Sequence, residues 1–314
     1  MKDYIIIGAG LCGLSTAKKI TELNLGSVLI LEKSRGVGGR MATRRTLNTR
    51  FDHGAQFYRV KSDIAQFHKI WKENLLSHQW FVSYKGDHWC ANDGMTSLAK
   101  KIASGLEIQL EKQVQQIFFE NNIWRIVSDK NEEWLCKHLI ITAPLPQAIQ
   151  LIERSSLGAI LNLSELEELK KIQYSKALIG LVVLEEDFSI NEHGYEEYSN
   201  GDFFSIADQK SKGISQNMAL TLTMSPHFSE IEFEGNDEVT LQKILKIFLK
   251  QFPKTKIKEA ELKKWRYCQP TGTYKNFTCE IAPKLYLAGD SFGGSSLLGA
   301  VRSSVGLTKV LLEN

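Results

Sequence analysis

Cysteine is scarce and unpaired in this 314-residue sequence. The five present, Cys12, Cys90, Cys136, Cys268 and Cys279, are odd in number and widely spaced, with no Cys-x-x-Cys pair. That argues against a disulfide framework or a cysteine-built zinc site and for a reducing compartment. The seven histidines contain no HExxH and no paired spacing, so no metal is expected. Charge of one sign is not in excess: the formal net charge is +3, too small to point to nucleic acid. No run approaches the roughly 18 apolar residues that span a bilayer. The opening Met-Lys-Asp passes into an apolar strand without a secretory h-region. There are no repeats and no low-complexity segment. The expectation is a cytoplasmic protein with no membrane or nucleic-acid partner and of open oligomeric state. Its length allows two domains, each with its own core.

Periodicity supplies the elements. Tyr4 to Ile7 is wholly apolar and rich in β-branched residues, as in a strand buried on both faces. It breaks at Gly8-Ala9-Gly10-Leu11-Cys12-Gly13, a helical pattern follows, and Ser27 to Leu31 is a second buried strand. This β-α-β unit starts a parallel sheet. Arg35 to Arg50 reads as a Gly/Arg-rich loop, while Ile64 to Leu76 and Thr96 to Ala103 read as helices. Val114 to Phe119 and Ile123 to Val127 flank a hairpin turn, and Leu139 to Thr142 is a strand stopped by Pro144 and Pro146. Beyond the prolines, Leu178 to Leu184 and Met218 to Thr223 look antiparallel, and Leu241 to Phe252 is an amphipathic helix. Leu285 to Ala288 is a last strand before a closing helix from about Ala300. The fold class is α/β: a Rossmann-type domain (residues 1–58, 93–148 and 278–314) with an inserted α+β substrate domain (59–92 and 149–277).

Position gives the first glycine loop its meaning. Gly8 permits the tight turn, Gly10 lets backbone approach a pyrophosphate, and Gly13 lets helix and strand pack closely. The helix N-terminus offers free amides and the positive end of its dipole. Glu32, 19 residues after Gly13, stands at the end of the second strand, where its carboxylate can bind an adenosine ribose. These features suit NAD and FAD equally. A second glycine turn, Glu32-Lys33-Ser34-Arg35-Gly36-Val37-Gly38-Gly39-Arg40, resembles the extended dinucleotide motif of the flavin amine oxidase superfamily. Its arginine suits phosphate because a guanidinium can bind two oxygens at once. Leu287-Ala288-Gly289-Asp290 resembles the same superfamily's C-terminal motif, with Asp290 at the phosphate–ribityl region. The same resemblance implies that Ala300 and Val301 open a helix whose amides can face the pyrimidine end of the flavin. A second Rossmann fingerprint is absent, so no separate NAD(P) domain is expected.

Taken together the sequence resembles the renalase family, over nearly its whole length. The segments that carry this are Gly38-Gly39-Arg40-Met41, Phe51-Asp52-His53-Gly54-Ala55-Gln56-Phe57, Asn92-Asp93-Gly94-Met95, Thr142-Ala143-Pro144 and Lys264-Trp265-Arg266-Tyr267. The resemblance implies non-covalent FAD held by Gly8, Gly10, Cys12, Gly13, Glu32, Lys33, Gly39, Arg40, Gln56, Phe57, Val114, Gly289, Asp290, Ala300 and Val301. Phe57 stands where animal members carry tyrosine, and Cys12 where a hydroxyl residue is usual. The implied reaction oxidises dihydronicotinamide dinucleotides reduced at the 2- or 6-position, passing electrons to O2 and giving NAD(P)+ and hydrogen peroxide. Hydride goes to flavin N5 and the product is an aromatic cation, so no general base is needed and no catalytic side chain is assigned. Trp265 and Tyr267 are candidates for the substrate cavity or for the core. His53 is read as structural, and Lys243, Lys246 and Lys250 as a solvated helix face. Two other readings stay open: an oxidase of amines or another small substrate, and a non-catalytic flavin-binding protein.

Overall fold

The computed structural model describes residues 1–313. The chain forms two compact units, one made of Met1–Gly39, Ala99–Gln173 and the chain from Gln269 onward, the other of Arg40–Leu98 and Tyr174–Cys268.

The first unit is built on an eight-stranded sheet. Strand Lys2–Ile7 lies at its centre, parallel to Val28–Leu31 on one side and to Glu133–Ile141 on the other. Leu285–Leu287 continues the parallel order beyond Glu133–Ile141, and Ile108–Gln109 beyond Val28–Leu31. Ile5, Ile6, Leu29, Ile30, Leu139 and Ile140 are all buried, which is why these strands are uniformly apolar rather than alternating. The hairpin Val114–Glu120/Ile123–Ser128 joins the sheet antiparallel, through the first half of Glu133–Ile141. Pro144 and Pro146 do more than stop a strand. They start the helix Leu145–Arg154, with a proline in its first turn where no amide partner is needed.

The second unit contains a five-stranded sheet in the order Tyr195–Glu197, Phe203–Asp208, Ala219–Met224, Tyr174–Leu184, Ile257–Pro270. Strand Tyr174–Leu184 feeds two cores by simple alternation. Leu178, Val182 and Leu184 pack with Ile244 and Phe248 of the helix Asp237–Gln251. On the opposite face, Ala177, Ile179, Leu181 and Val183 pack with Phe51 and Ala219, and Trp265 leans against them. The helix starts four residues before the periodic pattern does because Asn236 caps it, its side-chain oxygen accepting from the amides of Glu238 (3.0 Å) and Val239 (3.2 Å). Lys243, Lys246 and Lys250 are exposed along it.

Two differences from the sequence reading have identifiable causes. Residues 35–50 are not one loop: a short helical turn, Gly39–Met41, leads into the hairpin Thr43–Thr46/Thr49–Asp52. Its two-residue turn, Leu47-Asn48, has φ of +52° at both positions. That is the geometry a tight hairpin wants, but Leu47 carries no sequence signal for it. Leu47 instead packs its side chain on the Phe51 core. The unit boundaries also fall elsewhere than at 58/59, 92/93, 148/149 and 277/278. Residues 40–58 join the second unit because Phe51 lies in its core. Residues 149–173 join the first, tied by Ser155 Oγ accepting from the amide of Ile117 (3.0 Å) and by the amide of Asn162 donating to Ile281 (2.8 Å).

Candidate functional site

In the first unit the glycine loop meets the demands of a bound pyrophosphate. Gly8 has φ of +112°, and a side chain on Gly13 would stand 2.1 Å from the Gly8 carbonyl, so helix and strand close only over glycine. A Cβ on Gly10 would meet no protein atom within 4 Å. Helix Leu11–Glu22 has no side-chain cap and no acid in its first turn, leaving its leading amides and dipole for an anion. The second glycine turn is pinned to the first, the amide of Gly38 donating to the Ala9 carbonyl (2.8 Å). Glu32 is buried and accepts from the amides of Ala9 (2.7 Å) and Ser34 (2.8 Å). A carboxylate has about four lone-pair positions, so two remain for ribose hydroxyls. Uncapped amides, open space over Gly10 and an acid at the strand end fit the adenosine diphosphate half of FAD.

Other positions named from the sequence gather in the same unit. The chain leading to Val114 is held beside Glu32 by the amide of Lys112, which donates to the Glu32 carbonyl (2.9 Å). Gly289 has φ of +149° and donates its amide to Ser303 Oγ (2.8 Å), while Asp290 is buried at the start of a short turn. Helix Leu297–Glu313 starts earlier than expected, and the Ala300 amide is already taken by the Ser296 carbonyl (3.3 Å). Val301 is buried. With the helix starting at Leu297 and the Ala300 amide already bonded, the leading amides without an intrahelical partner are those of Leu297, Leu298 and Gly299. The Cys12 thiol points inward, bonded to Ser303 and Thr16, and burial pushes it up to about 12. Only its backbone remains for a phosphate. Lys33 is exposed and reaches Gln147 Oε1 (3.3 Å).

The second unit holds Arg40, Gln56, Phe57, Trp265 and Tyr267, and reveals a network the sequence did not disclose. Asp52 and Lys212 form an ion pair of 2.6 Å with neither side chain exposed. Asp52 also accepts from Thr43 Oγ1 and the Met95 amide, and its backbone carbonyl accepts from Thr221 Oγ1 (2.9 Å). Gln56 is absorbed into this network. Its Nε2 donates to the Asp52 carbonyl (2.6 Å), and its Oε1 accepts from Gln209 (3.1 Å) and Lys212 (3.3 Å). The carboxamide is thereby occupied by protein, and only backbone is left for a cofactor. Gly54 is required because a Cβ there would stand 2.0 Å from the Arg40 carbonyl. Nothing in the polar stretch around Lys212 signals its role in advance; only folding brings it to Asp52.

Arg40 is oriented by the Cys268 carbonyl, to which Nη1 donates (3.0 Å), and lies over the Tyr174 ring at 5.8 Å. Trp265 is a packing residue in part: its indole donates to the His53 carbonyl (2.7 Å) and stacks on the His53 ring at 5.3 Å. Tyr267 lies edge-on to Tyr174 at 6.0 Å. His53 Nδ1 is buried without a partner, and desolvation, aided by Lys263 and Arg44 against Asp52, lowers its pKa to about 4. Nδ1 therefore makes no hydrogen bond, and the ring's packing contact is its stack on Trp265. Arg44 and Arg50 are paired with Glu261 and Asp93.

Comparison with known proteins agrees with this arrangement. Residues 6–73 match the NAD(P)-binding Rossmann-like domain, and residues 72–306 match the family described as flavin containing amine oxidoreductase. Mouse (Mus musculus) renalase is 27% identical over 99% of each chain. In fold the chain is similar to a putrescine oxidase variant (TM-score 0.77, 12% identity, 99% of both chains). It is also similar to the fatty acid isomerase of P. acnes that produces CLA (TM-score 0.75, 12% identity, 98% of both chains). The chain belongs to the flavin containing amine oxidoreductase family and is a renalase-like, FAD-dependent oxidoreductase.

Proposed function

We propose that this enzyme oxidises dihydronicotinamide dinucleotides that carry their hydride at the 2- or 6-position of the ring, returning NAD(P)+ and reducing O2 to hydrogen peroxide. The observation that carries this reading is the likeness to renalase, which runs through both units rather than through the cofactor motifs alone. Bound FAD supplies a two-electron acceptor at N5. The substrate ring gives up a hydride and becomes an aromatic cation, so the protein has no proton to remove. What the protein must do is place the ring and keep it dry. Two polar side chains of the second unit suit that role: the His53 nitrogen Nδ1 is buried and only weakly basic, and Asp52 is committed to Lys212. Neither is offered to a substrate as a base.

The test is anaerobic stopped-flow reduction of the flavin by 6-dihydro-NAD(P), 2-dihydro-NAD(P), ordinary NADH and NADPH, and a panel of primary amines and polyamines. Rapid bleaching is expected with the 2- and 6-isomers, far slower reaction with the others. Reduction by an amine faster than by either isomer would overturn the reading in favour of an amine oxidase.

A further inference from the structure

Helix Leu297–Glu313 carries a serine whose hydroxyl is not spent on its own helix. Thr308 shows the ordinary case, its Oγ1 donating to the Ser304 carbonyl one turn back (2.8 Å). Ser303 is fully buried and instead reaches two distant stretches of the same unit. Its Oγ accepts from the Gly289 amide (2.8 Å) and donates to the Phe277 carbonyl (2.7 Å). The Cys12 thiol is bonded to it as well, so the proton and both lone pairs of the hydroxyl are in use. The first glycine loop, the Gly-Asp turn and the segment leading to strand Cys279–Ala282 thus meet at one oxygen.

The turn from Gly289 to Gly294 lies along one face of this helix, the face that Gly299 and Ser303 share at a spacing of one helical turn. At its far end the turn closes on the helix backbone itself. A Cβ on Gly293 would stand 2.0 Å from the Gly299 carbonyl oxygen, and one on Gly299 would stand 1.4 Å from the Gly294 carbonyl oxygen. The near end is held by the Ser303 hydroxyl. Between the two sits Asp290, buried, with its charge felt by the Cys12 thiol. Gly289 needs a hold there: at φ of +149° it takes a backbone conformation suited to glycine, the residue with the most freedom to lose on ordering. A buried hydroxyl is costly unless its partners are fixed, and alanine would fill the helix face without that demand.

We propose that Ser303 is a positioning residue for FAD. By fixing the Gly289 amide it sets the direction of Asp290, and through the same oxygen it ties that aspartate's turn to the first glycine loop. Two cofactor motifs from opposite ends of the chain are thereby held in one register. This rests on Asp290 as a residue of the cofactor site and extends that site to a side chain whose bonds are to protein. The neighbouring Ser304 supplies a control. Its Oγ accepts from Thr16 Oγ1 (3.1 Å), a buried bond between helices Leu11–Glu22 and Leu297–Glu313 that does not involve the Gly-Asp turn.

The experiment dilutes the holoenzyme and reads released FAD from its fluorescence, which gives Kd for the wild type and each full-length variant. Ser303→Ala should weaken FAD about tenfold, the scale of one hydrogen bond lost with its partners left buried. Ser303→Cys, of similar size but with a weaker donor and acceptor, should fall between serine and alanine. Ser304→Ala removes a buried hydroxyl bond of the same kind yet should keep wild-type affinity. The double variant Asp290→Asn/Ser303→Ala should bind FAD as Asp290→Asn does, because Ser303 acts through Asp290. Wild-type affinity in Ser303→Ala overturns the proposal, as does an equal loss in Ser304→Ala or two losses that multiply in the double variant. If Ser303→Ala fails to fold, wild-type affinity in Ser303→Cys overturns it equally. The two readings separate. An Asp290→Asn variant with unchanged affinity removes Asp290 from the cofactor site, and the proposal with it. An Asp290→Asn variant that loses FAD beside a Ser303→Ala variant that does not keeps Asp290 and removes the positioning alone.

Discussion

Replacing Lys212 with methionine is the most informative perturbation of the second unit. The side chain keeps its length and apolar stem but loses the ammonium that meets Asp52 at 2.6 Å in a fully buried pair. Asp52 would retain Thr43 and the Met95 amide as donors, yet one carboxylate oxygen would face the interior uncompensated. Breaking a buried pair by removing one partner costs about 3–5 kcal/mol. For a unit of this size that corresponds to a fall in Tm of roughly 6–20 °C. The double variant Asp52→Asn/Lys212→Met leaves no buried charge, while asparagine keeps an oxygen for Thr43 and Met95. It should therefore melt several degrees above Lys212→Met alone. Thermal unfolding followed by tryptophan fluorescence, in saturating FAD so that ligand linkage is constant, measures both. A double variant whose loss equals the sum of the single losses would refute the reasoning, because it would show the two side chains to be energetically independent.

Two further outcomes concern the cofactor, and a third concerns pH. Gly10→Glu should fold normally, since Gly10 has an ordinary φ of −74° and its Cβ meets nothing, yet lose FAD because a carboxylate occupies the pyrophosphate approach; apo-protein Tm and FAD titration check the two halves. Arg40→Ala should weaken FAD by about 1.5–3 kcal/mol, and wild-type affinity across a salt titration would remove Arg40 from the cofactor's contacts. Acid should destabilise the protein partly through His53. Its folded pKa of about 4 lies below the ordinary 6.5, so the unfolded chain binds the proton first. The stability is complete above about pH 6.5 and is lost as pH falls towards 4, by at most about 3 kcal/mol. His53→Gln should flatten the pH dependence of Tm in that window while leaving the acid limb of Glu261, lowered to about 2, in place.

Much of the cofactor cradle was legible because its physics is local. A glycine that must adopt φ of +112°, a helix that must start uncapped and an acid at a strand end all lie within the first 32 residues, and each has a residue type that meets the need. The buried parallel strands were legible for the same reason: burial on both faces requires unbroken apolar runs. The hairpin at residues 43–52 was not, since its turn uses Leu47 and Asn48 where glycine would have advertised it.

What tertiary structure alone decided is the use of residues the motifs had named. The sequence suggested that Gln56 serves the cofactor, and the fold ties its carboxamide to Asp52, Gln209 and Lys212. It placed Ala300 at a free helix terminus, whereas the helix begins three residues earlier and takes that amide. Lys212 lies 160 residues from the aspartate it neutralises. No local propensity encodes such a pairing. It exists because a buried charge is tolerable only beside its counterpart, and which counterpart arrives is settled by how the sheet and hairpin pack.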